Sequence, residues 1–273
     1  MKIDHTTVAV ITGAASGIGR ALAVRLAQEG AQLAICDVND AALKETAQIA
    51  AQPGVKITLH VVDVADRERM AAFVDEVVGE HGRAHLVINN AGVALGGTVE
   101  ELAIEDIEWL MSINFWGMIY ATKMFLPILR QQARGHLVNI SSIFGVIAPP
   151  GHSAYAASKF AVRGFTEALR HELAGSNITV SCVHPGGIRT NIARNAKAGA
   201  GVDRSVVEKE VAFFDKVAKT LPEQAAERIV RGVLRDEAKI LIGQDAGIID
   251  KVQRLMPVGY WKPLGKLLEI LAK

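Results

Sequence analysis

Val8-Ala-Val-Ile-Thr12, followed at once by Gly13-Ala-Ala-Ser16-Gly17-Ile18-Gly19, decides how this chain folds. The five residues up to Thr12 are apolar or β-branched and read as a strand covered on both faces. Glycines then permit a tight turn, and an amphipathic pattern from residue 18 opens a helix whose positive end faces that turn. Three residues separate Gly13 from Gly17 and one separates Gly17 from Gly19, so the spacing departs from the general G-x-G-x-x-G. A bare backbone at a helix N-terminus can approach a phosphate closely.

The alternation continues downstream. Apolar runs at 32–36, 57–62, 86–89, 136–140, 178–183 and 239–242 read as further strands, and 18–29, 40–51, 66–81, 104–132, 153–175 and 222–236 carry helical periodicity. Such β-α-β order predicts one α/β domain over 1–273, a doubly wound, seven-stranded parallel sheet flanked by helices. No repeat, low-complexity tract or Pro/Gly/Ser linker divides it. Residues 189–221 are weakly patterned around an apolar patch at Phe213-Phe214; this stretch follows the sixth strand and reads as a lid or as a flap that merely packs.

Half of the 273 residues are hydrophobic and 22% are charged, which suits a well-cored globular chain. Thirty basic against twenty-nine acidic residues leave a formal charge of +1 and no broad footprint for nucleic acid. Cys36 and Cys182 fall in apolar runs and read as buried thiols in a reducing cytoplasm. His81 and His85 have i,i+4 spacing, but Gly82 ends the helical pattern between them, so no metal site is expected. The first strand leaves no room for a signal peptide, and no apolar run reaches transmembrane length.

Asp37 ends the second strand eighteen residues after Gly19, where a carboxylate can accept from an adenosine ribose; Asn39 and Asp40 offer the alternative of a helix cap. Tyr155 and Lys159 share one face of a helix, thirteen residues after Ser142. An ammonium beside a phenol favours its ionised form, the change a tyrosine needs to act as acid and base near neutrality.

Taken in order, the Thr12-to-Gly19 turn, Asp63, Asn89-Asn90-Ala91-Gly92, Asn114, Ser142, Tyr155 with Lys159, and Pro185-Gly186 resemble the short-chain dehydrogenase/reductase family in its single-domain Rossmann form. The likeness covers about residues 6–192 and, more loosely, extends to 243. It implies an NAD(P)-dependent oxidoreductase acting on CH–OH groups. Gly13, Ser16, Gly17, Ile18 and Gly19 would carry the dinucleotide, with Asp63 and Val64 at the adenine and Asn90, Ala91 and Gly92 near the adenosine ribose. Pro185, Gly186, Ile188 and Thr190 would frame the nicotinamide. Ser142 would steady the substrate oxygen and Tyr155 exchange its proton. Lys159 would bind ribose and assist Tyr155, and Asn114 would hold a water against Lys159. Ser141 competes with Ser142, and His184 is not expected to be catalytic. Asp37 favours NAD(H) over NADP(H), since it would repel a 2′-phosphate; Arg20 is the residue able to soften that preference.

Phe144, Val146, Ile147, Ala148, Pro149 and the 189–221 segment suggest an apolar pocket, hence a hydrophobic ketone or secondary alcohol of steroid, acyl or aromatic type. A non-catalytic dinucleotide sensor and an epimerase or dehydratase are the alternatives. Gly117 and Gly164 inside helices point to close packing in a homo-oligomer. Residues 244–273 form a helical extension beyond the family pattern. Within it Leu264, Leu267, Leu268 and Leu271 make one stripe, while Lys262, Lys266, Glu269 and Lys273 lie off it. The pocket mouth, a neighbouring subunit or a membrane surface could cover that stripe; a short helix with few lysines suits the membrane least.

Overall fold

The computed structural model describes residues 1–199 and 201–272 and, within them, leaves the side chains of Arg204 and 267–272 aside. Its strands are β1 (Val8–Thr12), β2 (Gln32–Asp37), β3 (Ile57–Val61), β4 (Leu86–Asn89), β5 (Leu95–Gly96), β6 (Gly135–Ile140), β7 (Ile178–Pro185), β8 (Lys197–Ala198) and β9 (Lys239–Ile242). The helices are α1 (Gly17–Gln28), α2 (Asp40–Ala50), α3 (Arg67–His81), α4 (Ile104–Met111), α5 (Met118–Arg130), α6 (Ser153–Glu172), α7 (Arg204–Val217), α8 (Pro222–Leu234), α9 (Gln244–Leu255) and α10 (Trp261–Ala272). Seven parallel strands make one sheet in the order β3-β2-β1-β4-β6-β7-β9.

Both faces of that sheet are dry, which explains the unbroken apolar runs. Along β1 and β2, Ala9, Ile11, Leu33 and Ile35 join Leu22, Leu26 and Ile229 in one core. Val10, Ala34 and Cys36 turn the other way onto Phe73, Val77, Phe125 and Leu169. This strict alternation is the period of two that a strand imposes. Helix ends follow local rules: Asn39 caps α2, Asp66 caps α3 with bonds to the Glu68 and Arg69 amides, and Gly82 ends α3 at φ +70°.

Three features differ from the sequence reading. The helix expected over 104–132 is interrupted, because residues 112–117 form a π-helical turn between α4 and α5. Gly117, expected at a subunit contact, is explained within the chain: a Cβ there would come 2.7 Å from Val64 Cγ2. Gly164 meets nothing within 4 Å. Finally, the two-residue strands β5 and β8 pair in parallel, tying the weakly patterned stretch to the loop after β4. Among the described residues no helix is long and apolar enough to cross a membrane.

Candidate active site

Strand order reverses between β1 and β4, and this opens a crevice at the carboxyl ends of the strands. The glycine turn forms its floor. Gly13 has φ +66°, and a Cβ there would lie 2.7 Å from Ala91 Cα; a Cβ on Gly19 would run into the Gly13 carbonyl. Asn90 Nδ2 donates to the Thr12 and Gly13 carbonyls at 2.9 and 3.0 Å, while Thr12 Oγ1 accepts from the Asn90 and Ala91 amides. Ser16 precedes α1 in extended conformation without a side-chain cap bond. First-turn N–H groups of α1 thus lack a side-chain acceptor at a place where only backbone fits, as a pyrophosphate requires.

Asp37 stands at the end of β2, its carboxylate accepting from the Ala15 and Asn39 amides, both at 3.0 Å. Arg20 is not available to soften its charge. The guanidinium is spent on the Ala15 and Ala42 carbonyls, Thr46 and Glu45. Asp63 lines the same end of the cavity and accepts from the Ala65 amide. Val64 also lines it, but packs against Gly117 and is 7% exposed.

Asn114 sits on the π-helical turn, 2% exposed. Its Oδ1 accepts from the Val93 amide at 2.8 Å, and its Nδ2 donates to the Val93 carbonyl at 3.0 Å and to Ser158 Oγ at 3.1 Å. The side chain expected to hold a water therefore clamps the loop after β4 onto α6 directly. Gly92 keeps this junction open: a Cβ there would lie 3.2 Å from both Asn114 Oδ1 and Lys159 Nζ.

Lys159 is 4% exposed, with Nζ 3.3 Å from the Ile140 carbonyl and 5.7 Å from the Tyr155 ring centroid. Burial pushes its pKa down to about 8. Tyr155 shows the reverse of the expected shift: burial pushes its phenol up to about 12, opposed by a hydrogen bond with the Ser142 side chain. The i,i+4 spacing brings the ammonium to the ring, while the dominant influence on the phenol is loss of solvent.

Ser142 precedes a short turn at Ile143–Gly145, and its Oγ accepts from the Phe144 amide at 3.1 Å. Ser141 is its rival no longer, since its hydroxyl donates to the Lys159 carbonyl at 2.8 Å and is buried. Two further residues support this centre, His184, which the sequence reading set aside as non-catalytic, and Ser158, which it did not name. His184 Nδ1 lies 3.1 Å from the Ser142 carbonyl, and burial lowers the imidazole pKa to about 4, so the neutral ring can donate there. Ser158 links Asn114 to the Tyr155 carbonyl; a serine on the buried face of α6 was the signal for it.

Pro185 ends β7 and Gly186 follows it, while Ile188 pairs with Thr220 and the Thr190 methyl abuts Gly17. Asp245, which the sequence reading also did not name, accepts from the Gly187 amide at 2.7 Å and so braces this segment. Beyond it the cavity, about 2120 Å³ in all, is walled by Val207, Val211 and Phe214 of α7 together with Phe144, Trp261 and Leu264. Lys197 anchors the roof, 2.6 Å from Asp106 and over the Trp109 ring.

Leu264 is buried with Ile143, Val146, Ile147 and Ala246, and the Tyr260 hydroxyl accepts from the Ala148 amide at 3.0 Å. At this position the tail packs on the chain's own pocket wall. Leu267, Leu268, Glu269, Leu271 and Lys273 lie outside the described side chains.

A family model for short chain dehydrogenase matches residues 7–201. The chain is 47% identical over 256 residues to "Putative oxidoreductase SadH" of Mycobacterium tuberculosis, covering 93% of this chain and 92% of the relative. Among solved structures, a short chain dehydrogenase/reductase from Burkholderia phymatum in complex with NAD matches with TM-score 0.86 and 28% identity, over 93% of this chain and 95% of that one. An alcohol dehydrogenase from Thermococcus sibiricus, complexed with 5-hydroxy-NADP, matches with TM-score 0.73 and 25% identity, over 86% and 95%. This chain belongs to the short-chain dehydrogenase/reductase family and is an oxidoreductase that uses a nicotinamide dinucleotide.

Proposed function

We propose that the protein interconverts a secondary alcohol and a ketone on a hydrophobic small molecule, with NAD(H) preferred over NADP(H). The observation that carries this reading is Lys159 against the Tyr155 ring, with Ser142 lining the same cavity, at the base of a chamber walled largely by apolar side chains. Gly13, Ser16, Gly17, Ile18, Gly19, Asp37, Asp63, Val64, Asn90, Ala91 and Gly92 would hold the adenosine and phosphate parts of the dinucleotide, and Pro185, Gly186, Ile188 and Thr190 its other end. When bound, the nicotinamide supplies or accepts a hydride.

The remaining work falls to side chains. Ser142 and Tyr155 offer two hydroxyls to one substrate oxygen. A phenol held near 12 stays protonated and ready to donate during reduction. Lys159, against the ring face, stabilises the negative charge that donation leaves on Tyr155, and the same pair takes the proton back during oxidation. Asn114 positions α6, the helix that carries Lys159, through its bond to Ser158, and His184 positions Ser142 through the Ser142 carbonyl. With Arg20 engaged elsewhere, the Asp37 carboxylate suits a ribose 2′-hydroxyl better than a phosphate. A homo-oligomer would use the helices around Gly164, where Trp116 and Phe160 are 48% and 39% exposed.

The test is loss of NADH absorbance with a panel of apolar ketones, and its gain from NAD⁺ with the matching secondary alcohols. Turnover of apolar members with NADH ahead of NADPH is expected. Dinucleotide binding without turnover of any member would favour a sensor instead.

A further inference from the structure

Beside the chamber mouth, the chain leaves large apolar side chains bare. Ile248 is 56% exposed, Leu255 83%, Met256 44% and Val258 95%. Ile248, Lys251 and Leu255 recur at i, i+3 and i+7 on α9, so they form one outward stripe that runs into the loop carrying Met256 and Val258. Most exposed apolar residues elsewhere in the chain stand singly, as is ordinary for a protein surface. Apolar residues grouped in one short segment call for a partner.

Charge selects that partner. Lys251, Lys262 and Lys266 are exposed in the same stretch of chain. The described carboxylates there are already committed, Asp245 to the Gly187 amide and Asp250 to Lys239 and Arg254. A second copy meeting this patch across a two-fold axis would set these cations against their own images. An anionic surface would neutralise them while its acyl boundary received Leu255, Met256 and Val258.

We propose that α9 and the loop after it dock on an anionic lipid bilayer, setting the chamber mouth at the headgroup boundary. Ile248 belongs both to the exposed stripe and to the cavity lining, and Trp261, three residues after Val258, lines the cavity too. An apolar substrate could then pass from lipid into the chamber without crossing water. That delivery step rests on the apolar-substrate reading above; docking itself does not.

The experiment is co-sedimentation of the full chain, without dinucleotide or substrate, with vesicles of phosphatidylcholine alone or mixed with phosphatidylserine. Binding should favour the mixed vesicles and weaken as salt is raised. A Leu255→Asp, Val258→Asp double variant should lower the partition coefficient by at least ~10-fold. A Lys251→Glu, Lys262→Glu variant should lower it on mixed vesicles only. Both variants should keep the far-ultraviolet circular dichroism and the light-scattering mass of the parent. Failure of the parent to bind mixed vesicles would overturn the proposal, as would equal binding by the Leu255/Val258 variant. A smaller mass for that variant in the absence of lipid would assign the patch to a second copy instead. Since no turnover is read, an error about the substrate leaves this outcome unaffected.

Discussion

Around Lys159 most of the buried polar atoms are tied one to another, whereas the segments roofing the same chamber meet it largely with apolar side chains. Asn114 reaches Val93 and Ser158, Ser158 reaches the Tyr155 carbonyl, Ser141 reaches the Lys159 carbonyl, and His184 reaches that of Ser142. The roof has Val207, Val211, Phe214, Trp261 and Leu264, anchored by polar contacts that include Lys197–Asp106, Arg194–Asp215 and Ala148–Tyr260. An unpaired member of a buried network costs ~1–3 kcal/mol, while an apolar wall of similar volume can be rebuilt from other side chains for less. On the proposed function, the comparison assigns the chemistry to the sheet and the substrate choice to the roof.

Four substitutions or deletions break or sharpen that division. Tyr155→Phe removes one hydroxyl at the sheet end and should cut kcat by at least ~100-fold, with dinucleotide Kd nearly unchanged by fluorescence titration. Gly19→Val puts carbons where the Gly13 carbonyl and Asn90 Nδ2 lie, and should weaken dinucleotide binding by ~10–100-fold in the same titration. Asp37→Ser should raise the kcat/KM ratio of NADPH over NADH by ~10-fold, the worth of ~1.4 kcal/mol of removed repulsion. A parent that already prefers NADPH would contradict the reading of Asp37.

The smallest effect belongs to the roof. Deleting 260–273 removes Tyr260, Trp261 and Leu264 from the pocket wall. It should raise KM for apolar substrates several-fold, on the scale of ~1 kcal/mol of lost contact, and leave kcat within about twofold. A kcat loss as large as that of Tyr155→Phe would erase the distinction between the two regions.

The same division explains what could be read from the residues alone. Strands covered on both faces leave unbroken apolar runs, so the sheet was legible from β1 to β9 within a few residues. Tyr155 and Lys159 could be picked out because i,i+4 spacing sets an amine beside a phenol on one helix face, and Ser142 because the motifs in their order resemble the family. The π-helical turn at 112–117 was not legible, since its apolar residues suit an ordinary helix and Gly117 is explained only by Val64, far away in sequence. Asp245 carried no signal in the sequence, because its partner, the Gly187 amide, lies far away along the chain. The shift of Tyr155 was misread because spacing gives proximity to Lys159 but says nothing of lost solvent. In the tail, periodicity showed that Leu264 needed cover but not which surface would supply it.

Hydride transfer itself is the claim on which the rest depends. The direct measurement incubates the protein with an apolar ketone and NADH deuterated at C4 on either face, then reads the alcohol by mass spectrometry. Deuterium from one of the two labelled faces, bound at the former carbonyl carbon, is the expected result. Alcohol without label from either form, or dinucleotide bound with no labelled product from any apolar ketone, would contradict it.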